Sequence, residues 1–263
     1  MMLLFDYLYS ELSGHPRLIP PSCRRRLLAM LNTGCHLHLT GNQQIIRLVL
    51  MNAFSRLNQD SRVYYPRKYN VHITVNSSKT LNIGVLIHKQ NYELTPSKYD
   101  MYDKIVLDKI IHHFCSHKSI HDYYQSRRNT LKTIILYDVE QLTPEGQYIL
   151  KRFMDTKKNV RFILCSHHSV SSILQSRTIH LPIPSPSLDI QLSIIKDLLL
   201  QYIQSTRTKR TTNHIEQIFQ SLEQDYRIKK TYTTFRDLFQ SIELILMTKY
   251  PSSKQFQRVD SVS

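Results

Sequence analysis

Most of the devices that announce a function directly are missing from this sequence. No apolar run approaches the roughly 18 residues needed to cross a bilayer, so no spanning helix and no membrane partner are expected. The opening MMLLFDYLYSEL is apolar, but it carries acids where a secretory signal carries a basic lead, which argues against export. The four cysteines, Cys23, Cys35, Cys115 and Cys165, have no framework spacing and suit a reducing, intracellular compartment. His112, His113, Cys115, His117 and His121 are dense but follow no zinc-ligand pairing, so no metal site is expected. A hydrolase triad has no support either, because neither a Gly-x-Ser-x-Gly elbow nor a Ser/His/Asp order occurs. Acid is scarce too: 20 Asp and Glu stand against 35 Lys and Arg, a formal charge of +15, which favours a polyanionic partner such as DNA. The chain is nonetheless 41% apolar over 263 residues, enough to bury a core and too much for disorder.

What is present centres on Lys132 to Ser187. Thr133 to Leu136 and Arg161 to Cys165 are short apolar runs without alternation, the pattern of strands buried on both faces of a parallel sheet. Between them Thr143 can cap a helix that begins at Pro144 and Glu145. Ile149, Leu150, Phe153 and Met154 give this helix an apolar stripe, and Lys157 and Lys158 close it. Further upstream, residues 3–32 have helical spacing, Cys35 to Leu39 form a strand, and Ile45 to Leu57 a helix. The alternating Val71, Ile73 and Val75 make another strand. Residues 77–94 hold a hairpin or insertion, and a Thr95-Pro96 cap precedes a helix from Tyr102 to Phe114.

The turn after the first strand is where a phosphate-binding loop would lie, because backbone amides and a helix N-terminus cradle phosphate there. Counted from Gly41, Ile46 stands at the second glycine, Arg47 at the lysine and Leu48 at the magnesium-binding hydroxyl. Two readings follow, residual nucleotide contact through Arg47 or an ordinary turn between strand and helix.

The order of these elements resembles the small subunits of replication factor C, the sliding-clamp loader, which are AAA+ proteins. Ile134 to Leu142 looks like the Walker B strand, Leu150-Lys151-Arg152 like the Leu-Arg-Arg helix, and Arg161 to Cys165 like the sensor 1 strand. Gln175-Ser176-Arg177-Thr178 is similar to the Ser-Arg-Cys box, Ile183 to Ser187 to the linker into the lid, and Tyr92 to Ser97 to the Glu-x-Asn-Pro-Ser segment. The resemblance implies an α/β fold: a RecA-like AAA+ parallel sheet flanked by helices over residues 1–184, then a helical lid over 185–250 and a mobile polar tail over 251–263. The lid would hold helices at Leu188 to Gln204, Ile215 to Gln224 and Phe235 to Met247, with Arg236 as sensor 2 candidate or merely an exposed base. The family's collar domain is not represented.

Carried over residue by residue, the family's chemistry is largely gone. Tyr137 stands at the Walker B metal position, Asp138 at the position of the catalytic Glu and His167 at the sensor 1 Asn. With Leu48 unable to ligate metal, no ATP or magnesium turnover by this chain is expected. Arg177 survives. The resemblance implies an arginine finger acting on a neighbouring subunit's ATP, the alternative being a surface Arg near a strand. Lys151, Arg152, Lys157 and Lys158 are the DNA-contact candidates, although the last two could simply serve the helix end.

Two function classes result. One is a non-catalytic clamp-loader-like subunit in DNA replication, working with DNA, a sliding clamp and other AAA+ clamp-loader subunits, in a nucleus or at a viral replication site. The other is an ATP-independent nucleic-acid-binding or scaffold protein on a decayed AAA+ fold, in transcription or packaging.

Overall fold

The computed structural model describes residues 11–57, 66–76, 79–116 and 131–205. They fall into two compact units, one of residues 21–184 and one of residues 11–20 with 185–205. The expected lid helices beyond 205, Arg236, the polar tail, His117 and His121 lie outside the described residues.

The larger unit runs α1 (Pro21–Thr33), β1 (Leu37–Thr40), α2 (Gln43–Leu57), β2 (Arg67–Asn76), β3 (Lys79–His88), β4 (Asn91–Leu94), α3 (Asp103–Ser116), β5 (Lys132–Leu136), α4 (Pro144–Thr156), β6 (Val160–Ser166), α5 (Ser172–Gln175) and β7 (Ile179–Pro182). One seven-stranded sheet has the order β2-β3-β4-β5-β6-β1-β7. The five strands from β4 to β7 pair in parallel, and the hairpin β2–β3 adds an antiparallel edge next to β4. The sheet is therefore mixed, with a parallel centre as the apolar runs require. This is an α/β arrangement, a mixed sheet flanked by helices.

Burial explains the pattern. Every residue of β6 is buried, which is why its sequence does not alternate. In the hairpin only one face is covered: Ile73, Ile83 and Val85 join a core with Val106, Ile110 and Phe114 of α3 and Leu150, Phe153 and Met154 of α4. Residues 3–32 are not one helix. Residues 11–14 are helical, and the chain then turns before α1 starts at Pro21, because Pro16 and Pro20 cannot donate helical hydrogen bonds. The first strand also starts later than its spacing indicates, at Leu37, where parallel pairing with Ile163 and Ile179 begins.

Buried polar groups fix how the layers join. Asp103, 1% exposed at the start of α3, accepts from the Thr143 backbone N–H at 2.6 Å and its hydroxyl at 2.8 Å. Thr143 in turn caps α4 by accepting from Gly146 N–H at 3.1 Å. The carboxylate thus sits on the positive end of α4, and a Cβ on Gly146 would come within 2.8 Å of it. On the sheet, Arg161 of β6 is buried. It donates to the Leu31 carbonyl and to Thr133 Oγ1, and desolvation pulls its guanidinium down to about 10.

In the smaller unit Arg17 pairs with Asp197 of α6 (Leu188–Ser205) and donates to Ser193 Oγ at 2.9 Å. Leu12, Leu18, Ile19, Leu192, Ile194, Ile195 and Leu198 are its buried apolar residues among those described.

Asp103→Ala removes two hydrogen bonds and the cap's support from a buried site. It should cost roughly 2–4 kcal/mol in denaturant unfolding, against about 1 kcal/mol for Thr143→Ala.

Candidate functional site

The carboxyl ends of the parallel strands gather the residues that sequence reasoning assigned to nucleotide. β1 ends at Thr40 and the chain turns at Gly41, whose φ of +144° few side-chain-bearing residues adopt. A Cβ there would lie 2.4 Å from the Ile183 carbonyl oxygen, because β7 runs alongside and Ile183 N–H donates to Thr40. Gly41 therefore has a packing reason to be glycine that does not involve phosphate. Next, Asn42 caps α2: its Oδ1 accepts from Gln44 N–H at 2.9 Å and Ile45 N–H at 3.4 Å. The amides that would hold a phosphate are satisfied from within the chain.

The charged positions close in the same way. Gln43 donates to the Asp138 carboxylate, linking the turn to the end of β5. Asp138 itself has φ +55°, in the left-handed region. Arg47 Nε lies 3.3 Å from Oε2 of Glu93, a β4 residue only 3% exposed, and Tyr137 donates to that same oxygen at 3.2 Å. Arg47 Nε has no hydrogen-bond partner with proper geometry, so the contact is an ion pair and not a directed bond. Tyr137 and Arg47 thus converge on one carboxylate, where a nucleotide-binding relative would place metal and phosphate. Leu48 is buried and apolar. A magnesium–nucleotide does not fit this set: the metal positions hold a phenol and a leucine, and the one cation already faces a carboxylate.

Alongside, His167 N–H donates to Glu140 Oε1 at 2.9 Å, so the residue at the sensor 1 position is tied by its backbone to the turn after β5. His38 of β1, 2% exposed, meets Ser166 Oγ at 2.7 Å. Ser166 gives its one hydroxyl hydrogen to the His168 carbonyl at 2.5 Å, so His38 Nε2 carries a hydrogen and donates. This is no activated serine, because its proton points away from the imidazole. Desolvation, with His180 close by, pulls His38 down to about 4. Among the described residues no three His, Cys, Asp or Glu side chains cluster as metal ligands.

Arg177 lies apart from this closed pocket. It follows α5, and its Nε donates to Asp155 Oδ1 at 2.7 Å, near the end of α4. Its Nη1 donates to Ser176 Oγ at 2.9 Å and the Ile173 carbonyl at 3.3 Å. The hydrogen bond from Arg177 holds the Asp155 carboxyl below its ordinary range. The DNA candidates share α4 with that aspartate. Lys151 stands over the exposed Tyr148 ring at 5.9 Å, and Arg152 pairs with Asp108 of α3 at 2.6 Å. With Lys104 and Asp155, these three residues line a groove of about 640 Å³. Lys157 caps the helix through its backbone N–H to the Phe153 carbonyl, and Lys158 is exposed just beyond. Sequence reasoning missed Asn42, Gln43, Glu93 and Asp155. Only Glu93 gave a signal, as an acid inside a short apolar strand.

No protein-family model matches the chain. Over 153 residues it is 28% identical to the replication factor C small subunit L478 assigned in Acanthamoeba polyphaga mimivirus, covering 57% of this chain and 39% of that one. It is 25% identical over 126 residues to mouse replication factor C subunit 3, covering 47% and 35%, and 26% identical over 167 residues to replication factor C subunit 5 of Saccharomyces cerevisiae, covering 59% and 47%. Over these stretches the chain is similar to replication factor C small subunits. It spans less than half the length of these relatives. Among solved structures it is similar to the Thermotoga maritima RuvB Holliday junction branch migration motor, with TM-score 0.42, 12% identity and 87% of this chain covered against 70% of that one.

His38 makes the stability of this protein pH-dependent. Its folded value lies below the ordinary 6.5, so its contribution is complete above pH 6.5 and is lost as pH falls toward 4. The loss from this group approaches about 3 kcal/mol. His38→Gln keeps a donor for Ser166 and does not titrate. Unfolding free energies of the two proteins should converge between pH 7 and pH 4.5.

Proposed function

We propose that this chain is a non-catalytic subunit of a clamp-loader-type assembly in DNA replication, contributing Arg177 to the ATP site of a neighbouring AAA+ subunit and a basic helix face to DNA. The observation that carries the reading is the contrast between two places in one fold. At the strand ends, Asn42, Gln43, Glu93 and Tyr137 occupy the chain's own nucleotide positions. At Arg177 the cation is kept and anchored, with a guanidinium nitrogen to spare.

The division of labour follows from phosphoryl-transfer chemistry. Hydrolysis needs a metal, a phosphate cradle and a residue that orients water, and these must act together. A chain that has lost the metal positions gains nothing from keeping the others, so it turns over no ATP. An arginine supplied in trans needs none of them: it neutralises charge developing on another subunit's γ-phosphate. Partners named by this reading are ATP-competent AAA+ subunits, a sliding clamp and DNA, in a nucleus or at a viral replication site. Arg236 belongs to the same reading as sensor 2, and Gly41, Arg47 and Asp138 as remnants of a nucleotide site.

DNA contact is through phosphates. Lys151 stands over the exposed Tyr148 ring and Lys158 is exposed, whereas Arg152 must first leave or share Asp108.

Two measurements test the reading. In an assembly reconstituted with the AAA+ subunits that co-purify with the chain, Arg177→Ala should lower ATP turnover by on the order of 10-fold or more, and an unchanged rate would exclude the finger. Lys151→Ala with Lys158→Ala should weaken duplex binding equally for unrelated sequences and flatten the log K against log salt slope by roughly 1–2. An unaltered slope would move the DNA face elsewhere.

A further inference from the structure

Arg177 is held in a specific way. Its guanidinium has three nitrogens; Nε is engaged by Asp155 at 2.7 Å, and Nη1 by Ser176 Oγ and the Ile173 carbonyl. Among the described residues Nη2 has no partner, and the side chain is 29% exposed. These contacts engage Nε and Nη1 on two different edges of a rigid plane, so the plane is fixed while Nη2 is left without a partner among the described residues. A freely rotating arginine would have to be ordered at each encounter with phosphate, whereas this one is already ordered.

The Asp155 carboxyl is held below its ordinary range first by the hydrogen bond from Arg177, with Lys151 one turn back on α4 and His36 adding to it. It stands in the last turn of α4, where the helix dipole disfavours negative charge. It is 46% exposed, so solvent would satisfy a neutral residue equally well. What the carboxylate does is grip Arg177 across 22 positions of sequence. It also sits one helical turn beyond Lys151 and Arg152, on the element that offers cations to DNA.

We infer that Asp155 is the positioning residue for Arg177, fixing the guanidinium plane so that its Nη2 is presented to an anionic oxygen on a neighbouring subunit. The inference rests on the trans-acting reading of Arg177 and adds a residue to it. A carboxylate beside a cation has two opposite possible effects: it can orient the arginine, or it can compete with the phosphate for it. Asp155 engages Nε, on the edge that Nε shares with Nη2, and leaves Nη2 itself without a partner among the described residues, which an oriented arginine requires.

The co-purified assembly, with ATP and magnesium, distinguishes these. Asp155→Ala should lower the partner's kcat at least about 5-fold with KM for ATP unchanged, because a mispositioned finger fails in the transition state and not in ground-state binding. Asp155→Asn keeps an oxygen acceptor for Nε and should restore most of the rate. The pair is exposed, so the melting temperature of the isolated chain should be essentially the same in both variants, which separates positioning from folding. If Arg177→Ala abolishes activity while Asp155→Ala leaves kcat equal or raises it, Asp155 does not position the finger, and the trans-acting reading stands without it. If Arg177→Ala itself has no effect, the trans-acting reading fails and this inference fails with it.

Discussion

The first turn of a helix carries backbone amides that no residue of the helix can satisfy, and the start of α2 is where that constraint bears hardest on this molecule. It lies at the carboxyl ends of the parallel strands, in the place where an AAA+ relative would set phosphate on those amides. A chain without phosphate must still pair them. Asn42 does so through one side-chain oxygen, and the rest of the pocket follows from that substitution. Once the helix end is closed locally, a lysine reaching for phosphate has no purpose, and the arginine at that position turns to Glu93. Tyr137 donates to the same carboxylate, so a phenol stands where a metal ligand would otherwise be exposed to an unbalanced acid. Each loss makes the next inexpensive, because an abandoned buried charge costs more than a paired one.

The same rule of satisfied polar groups holds the layers together away from this pocket. Asp103 ties α3 to the start of α4, and Gly146 leaves room for its carboxylate. Arg161 crosses from β6 to the end of α1 and to β5, donating to a carbonyl and a hydroxyl. These links are independent of nucleotide.

Much of this was legible in the sequence, for identifiable reasons. Runs such as Arg161 to Cys165 lack alternation because both faces are covered, and Thr143-Pro144 announces a helix start by local chemistry alone. The missing metal positions, Tyr137 and Leu48, could be counted from a motif. What could not be read were pairings made by the fold: Gln43 with Asp138, 95 positions apart, or Arg177 with Asp155. Asp103 looked like an ordinary first-turn acid, and nothing in its neighbours signals that it is 1% exposed. The turn at residues 15–20 was a different failure. Pro16 and Pro20 were in plain view, and apolar spacing on either side outweighed them in the reading of one helix.

The element that gains most from the structure is α4. Its sequence suggests a basic helix closed by two lysines, a face for phosphates. The structure adds that its cations are not equally available: Arg152 is matched by Asp108, while Lys151 shares its position with an exposed Tyr148 ring. It adds also that the helix ends in an aspartate that faces Arg177. A straight helix of 13 residues is stiff over that distance, so a displacement imposed at Lys151 is carried to Asp155 with little loss. Lys151, Arg152 and the aspartate that holds Arg177 therefore belong to one rigid element.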